Sequence, residues 1–122
     1  MTRHKYHAVP TTVNGIRFDS KKEAARYKEL LLLETAGEIW DLELQPRFAL
    51  CVPSTSGQVG RALESITTGG IFTIGEYVGD FAYYNKCYDH RVIEDVKGYK
   101  TQLYVWKKKH VEAQYGITIL ET

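Results

Sequence analysis

Cysteine is scarce in this chain. Cys51 and Cys87 are the only two in 122 residues, far apart and without C-x-x-C spacing. That excludes a disulfide framework and a cysteine-based zinc site, and two free thiols fit a reducing cytosol. Histidine gives no ligand cluster either: His4, His7, His90 and His110 have no metal-binding spacing and read as surface residues. Long apolar runs are also missing. The longest leucine run is Leu30–Leu33, and the opening "MTRHKYHAVP" is charged without an apolar stretch, so neither a signal peptide nor a membrane span is expected. The expected location is cytoplasmic. No internal repeat is present, and the length suits one domain with a single core.

Phenylalanine is sparse, with four residues, whereas tyrosine occurs nine times. Tyrosine packs like an aromatic and keeps a polar tip, which suits half-buried faces and binding surfaces. The net charge of +1 conceals segregation. Residues 1–28 carry seven Lys/Arg against two acids, residues 29–96 four against eleven, and residues 97–122 five against two. Basic ends around an acidic middle fit a phosphate-binding rim around a metal-attracting centre, and equally fit solvated helix faces.

Patterning gives the elements. Residues 1–15 read as a basic N-terminal arm, with a turn at Asn14-Gly15. The rest, 16–122, reads as one domain. "SKKEAARYKELLLLETAG" predicts a helix over about 20–36, capped by Ser20 with Glu23 at the third position and stopped by Gly37. "IWDLELQPRFAL" alternates as one half-buried strand, with Trp40, Leu42, Leu44, Phe48 and Leu50 on one face and Pro46 marking an edge, bulge or bend. Residues 53–70 are rich in Ser, Thr and Gly and read as an inserted loop. "IFTIGEYVGDFAYYN" and "RVIEDVKG" predict an antiparallel hairpin turning at 85–90. A helix from Thr101 to Gly116 and a short "ITIL" strand follow. The expected class is mixed α/β or α+β, in the order α-β-β-β-α-β, with a central mixed sheet and flanking helices.

The chemistry concentrates on that hairpin. Glu94, Asp95 and Lys97 interrupt an otherwise apolar strand, and Asp80 interrupts its partner. A period of two puts Asp95 and Lys97 on one face and Glu94 on the other with Val92 and Val96. A bulge would exchange the two acids. Pairing about the turn brings Asp80 towards Asp95, and two carboxylates that close raise each other's pKa unless a cation lies between them. A hard divalent ion such as Mg²⁺ suits oxygen ligands of this kind. Lys97 beside them can neutralise phosphate charge and orient an attacking water.

"GD" at Asp80 followed by "DVK" at Asp95-Val96-Lys97 resembles the PD-(D/E)xK motif of restriction-endonuclease-like nucleases. Gly79 replaces the motif's proline. More narrowly, "KYHA", "VNGIRFDSKKEAARYKEL", "DLELQPRF" and "DVKGYKT" resemble a small family of bacteriophage proteins assigned to that nuclease superfamily. The resemblance implies a restriction-endonuclease-like core. It also implies a metal-dependent DNA endonuclease, with Glu23, Asp80, Asp95 and Lys97 as catalytic residues. Mg²⁺, with Mn²⁺ able to substitute, would be held by Asp80, Asp95, Glu23 and the carbonyl of Val96. Small members of the superfamily include junction-resolving homodimers, so branched DNA in phage recombination or replication is the expected substrate and a homodimer the expected assembly. Glu23 also satisfies a capping box, a structural role that needs no metal. Lys5, Gln45, Lys100, Thr101 and Lys107 are candidate DNA contacts; solvent exposure explains Gln45 and the Lys107–Lys109 run as well, and Lys5 equally suits a partner subunit. The alternative function is a non-catalytic nucleic-acid-binding protein that keeps the fold.

Overall fold

The computed structural model describes residues 9–53 and 71–122. Lys5 and most of the basic arm, and the Ser/Thr/Gly-rich stretch from 54 to 70, lie outside the described residues. The fold is α+β, with two helices among the described residues and a mixed sheet. Neither of those helices is long and apolar enough to cross a membrane. Contacts divide the chain into two compact units. The first comprises Met1–Pro46, Gly79–Thr101 and Thr118–Thr122; the second comprises Arg47–Val78 and Gln102–Ile117.

The first unit begins with a hairpin, β1 (Thr11–Val13) and β2 (Ile16–Phe18). Its turn residues Asn14 and Gly15 both have positive φ, 52° and 80°. That is the turn geometry matching the twist of paired strands, and the reason an Asn-Gly pair stands there. Helix α1 (Lys21–Thr35) follows. Extended Ser20 caps it, accepting the Glu23 N–H at 3.1 Å. At the far end Gly37, at φ 76°, lets the Glu38 N–H reach the Leu33 carbonyl at 2.9 Å. Such a left-handed glycine closes the helix by satisfying its last carbonyls.

The sheet runs in the order β3 (Ile39–Leu44), β6 (Phe81–Asn85), β7 (Arg91–Asp95), β8 (Ile119–Glu121). The first two pairings are antiparallel, including the expected hairpin between β6 and β7, and β8 joins β7 in parallel. Helix α1 covers one face. Ala24, Tyr27 and Leu30 from the helix meet Phe18, Ile39, Phe81, Tyr83 and Val92 in one buried cluster. Tyr27 and Phe81 stack at 6.2 Å between centroids, and Phe18 leans on Tyr27 at 5.0 Å. Each fully buried side chain of this size contributes roughly 1.5–3 kcal/mol relative to exposure.

Two expectations for residues 39–50 are corrected. Trp40 does not share a face with Leu42 and Leu44. A bulge between Trp40 and Glu43, with Asp41 at φ 55°, shifts the alternation by one residue. Ile39 therefore points inward, and half-exposed Trp40 stacks on Tyr84 at 6.1 Å. Nor is the stretch one strand. It breaks at Gln45, φ 52°, and Pro46, which has no N–H to continue a ladder. The break is stapled to a matching one before β6: the Gln45 N–H donates to the Asp80 carbonyl and the Gly79 N–H to the Pro46 carbonyl, both at 2.9 Å.

In the second unit β4 (Arg47–Pro53) pairs with β5 (Ile71–Val78), and α2 (Gln102–Tyr115) packs on both. Gly116, at φ 65°, ends α2 as expected. The side chains of α2 satisfy the outer edge of β4. Gln114 bonds the Cys51 N–H and the Ala49 carbonyl, Tyr115 donates to the Ala49 carbonyl at 2.7 Å, and His110 meets the Cys51 carbonyl at 2.9 Å. His110 is thus half-buried and structurally engaged, which corrects its reading as a surface residue. Both cysteines are free.

Candidate functional site

The paired breaks in the chain decide where the acids sit. With Phe81 opposite Glu94 in the ladder, Asp80 falls level with Asp95. The Asp80 N–H donates to the Glu94 carbonyl at 2.9 Å, and its carboxylate accepts the Val96 N–H at 2.6 Å. Gly79, just before Asp80, is held closely on two sides. Its N–H is used by the Pro46 carbonyl, and an added Cβ would lie 3.3 Å from the Pro46 ring and 3.4 Å from the Glu94 carbonyl oxygen.

Three carboxyl groups meet at this point. The carboxyls of Asp80, Asp95 and Glu23, the last from the first turn of α1, lie near enough for the charges of Glu23 and Asp95 to act on Asp80. Burial, followed by the charge of Glu23, pushes the Asp80 carboxyl from an ordinary 3.8 up to about 8; the Val96 N–H pulls the other way. Glu23 is also raised, first by burial and then by the charge of Asp19. Lys97 closes the group, its Nζ 3.0 Å from the Asp95 carboxylate. Asp95 is almost wholly buried and Lys97 about three-quarters buried, so this is no solvated surface pair. The main chain of Lys97 is tied on both sides: its N–H donates to the Thr122 carbonyl at 3.2 Å and its carbonyl accepts Lys22 Nζ at 2.8 Å. An open cleft of about 470 Å³ gives access, lined by Ser20, Lys21, Glu23, Asp80, Lys97 and Tyr99 among others.

Glu94 stands apart from this group. It is fully buried and accepts from Arg26 Nε at 2.8 Å, from Arg26 Nη2 at 2.7 Å and from the Tyr83 hydroxyl. Hydrogen bonding to Glu94 raises the Arg26 guanidinium above its usual range, while burial and then Glu94 raise the Tyr83 hydroxyl. The strand is regular up to Asp95, so the alternation seen in the sequence holds: Glu94 faces α1 and Asp95 joins Lys97.

The remaining sequence candidates are dispersed. The exposed Gln45 reaches Asp80 through its backbone. Lys100 pairs with Glu121 at 3.0 Å, and Thr101 is half-buried just before α2. Lys107 lies on α2 in the second unit. Two residues that sequence reasoning passed over belong to the site region, Lys22 and Arg26. They share α1 with Glu23, and the only sequence signal for Arg26 was an acid, Glu94, without an assigned partner.

Among the described residues no group of three or more His, Cys, Asp or Glu side chains is arranged to hold a metal ion. The donor type fits a hard divalent cation: Glu23 and Asp80 line the cleft with carboxylate oxygens, and Asp95 adjoins them.

A family model described as a protein of unknown function, DUF1064, matches residues 3–120, and the chain belongs to that family. No curated protein and no solved structure matches it.

Proposed function

We propose that this member of the DUF1064 family is a metal-dependent endonuclease that hydrolyses DNA phosphodiester bonds. One observation carries the reading: Glu23, Asp80 and Lys97 line one cleft, the charges of Glu23 and Asp95 both act on Asp80, and Lys97 lies 3.0 Å from Asp95. Structural ion pairs do not require three mutually repelling carboxyls in one place, since each would be better served by its own cation. Asp80, Asp95 and Glu23 would hold Mg²⁺, or Mn²⁺ in its place, with the Val96 carbonyl as a further oxygen donor. The ion would supply a nucleophilic water at neutral pH and charge stabilisation at the phosphate.

The side chains do the rest. Lys97 orients the attacking water and offsets charge on the phosphate as it becomes five-coordinate. The water oxygen bonds to phosphorus while the bond to the 3′ oxygen breaks, leaving a 5′ phosphate and a 3′ hydroxyl. Lys21 and Lys22, exposed at the start of α1, give the cleft a cationic wall for the DNA backbone. The substrate in this reading is branched DNA, recognised by shape and cut on two strands by a homodimer.

The test is cleavage of a synthetic four-way junction against a linear duplex of the same arms, with Mg²⁺ and with EDTA. The junction is expected to be cut at least about tenfold faster, and only with metal. Binding of either DNA without cleavage in Mg²⁺ or Mn²⁺ would favour a non-catalytic binding protein instead.

A further inference from the structure

Helix α1 reaches the ends of β6 and β7 through three side chains at neighbouring positions of one face: Lys22 to the Lys97 carbonyl, Glu23 to Asp80, and Arg26 to Glu94. The last contact is the strongest in kind. A guanidinium fork grips a carboxylate that has no solvent exposure, and the Tyr83 hydroxyl takes a further share of the same carboxylate. Arg26 lies one turn beyond Glu23, and Glu94 is the direct neighbour of Asp95. The fork therefore joins the backbone that carries one acid of the site to the backbone that carries another. A salt bridge this buried is weak evidence for stability, because apolar side chains of similar volume often serve as well. Its geometry is directional where theirs is not.

Resting on the metal-site reading above, we propose that Arg26 and Glu94 are positioning residues. Their fork sets the rotation of α1 against β7, so that Glu23 and Asp95 present their carboxylates to the same ion. Groups that act through the ligands in this way commonly change metal affinity ten- to a hundredfold when removed.

Stability and Mn²⁺ affinity separate this role from simple glue. Arg26→Met strands a buried carboxylate and is expected to lower the melting temperature by about 10 °C or more. The triple variant R26M/E94L/Y83F removes the Arg26 fork together with its buried partners and leaves only the exposed Glu29, which Arg26 also meets at 2.8 Å, free in water. It is expected to melt within a few degrees of wild type yet bind Mn²⁺, titrated by electron paramagnetic resonance, roughly ten- to a hundredfold more weakly. Arg26→Lys keeps the charge, loses the fork, and is expected to weaken Mn²⁺ binding at least about threefold. If either Arg26→Lys or the triple variant binds Mn²⁺ as tightly as wild type, the positioning role is overturned while the metal site stands. If wild type itself binds no Mn²⁺, the metal-site reading fails and takes the inference with it.

Discussion

Asp80→Asn is expected to reduce Mg²⁺-dependent DNA cleavage by about 10³-fold or more, because it removes the acid on which the charges of both others act. The fold should survive, since the amide oxygen of the substituted side chain can still accept the Val96 N–H that Asp80 now accepts at 2.6 Å. The same variant carries a stability signature of opposite sign. The Asp80 carboxyl is raised from 3.8 to about 8 in the folded protein. Its contribution to stability is therefore complete below the unfolded value and is lost as pH rises through about 8. Metal-free wild type should lose on the order of a few kcal/mol on this account between pH 4 and pH 8. Asp80→Asn should flatten that part of the profile and be the more stable protein at pH 9. Glu23, also raised, adds to the slope in the same direction. Saturating Mg²⁺ should restore the wild type, with about 2.7 kcal/mol available at a hundredfold excess over Kd, and leave Asp80→Asn unmoved. Calorimetric melts across pH, with and without Mg²⁺, read all of these effects. A wild type whose melting is indifferent to Mg²⁺ at pH 8 would remove the basis for the cleavage prediction.

Lys97→Ala should separate binding from chemistry. The expected loss is about 10²–10³-fold in kcat, with Mg²⁺ affinity changed by less than about threefold. Lys97 lies 3.0 Å from Asp95, a proposed ligand, and would not ligate the ion itself. The backbone at 97 keeps both its ties, to Thr122 and from Lys22, so the variant should remain folded. Lys97→Arg should recover little, because a planar fork does not reproduce a compact ammonium at the same point. Single-turnover cleavage at saturating metal measures the effect. A variant as fast as wild type would return Lys97 to the role of a counter-ion for Asp95.

The parts of this protein legible in its sequence are those decided locally. The Ser20 cap, the Gly37 and Gly116 stops and the Asn14-Gly15 turn each depend on a few adjacent residues, and each is where its chemistry requires it. The hairpin joining Asp80 to Asp95 was also readable, because two β-rich segments around one turn leave few registers. Residues 39–50 were not. A single positive-φ residue, Asp41, moves Trp40 to the other face, and nothing in the alternation announces it. The division at Gln45-Pro46 was visible only as a proline of several possible meanings. Glu94 shows the other limit. Period-two reasoning assigned its face, yet its partner Arg26 is 68 residues distant, and only the fold brings them together. Asp95 finds its cation two residues away in Lys97, but the interaction that makes buried Glu94 tolerable is long-range, and short patterns do not contain it.

The most direct measurement is an anomalous difference map from crystals of the wild-type protein soaked in Mn²⁺. The account predicts a peak at roughly 2.0–2.2 Å from carboxylate oxygens of Asp80 and Asp95, with Glu23 on the same ion directly or through water. No peak at that point at high Mn²⁺ would contradict it.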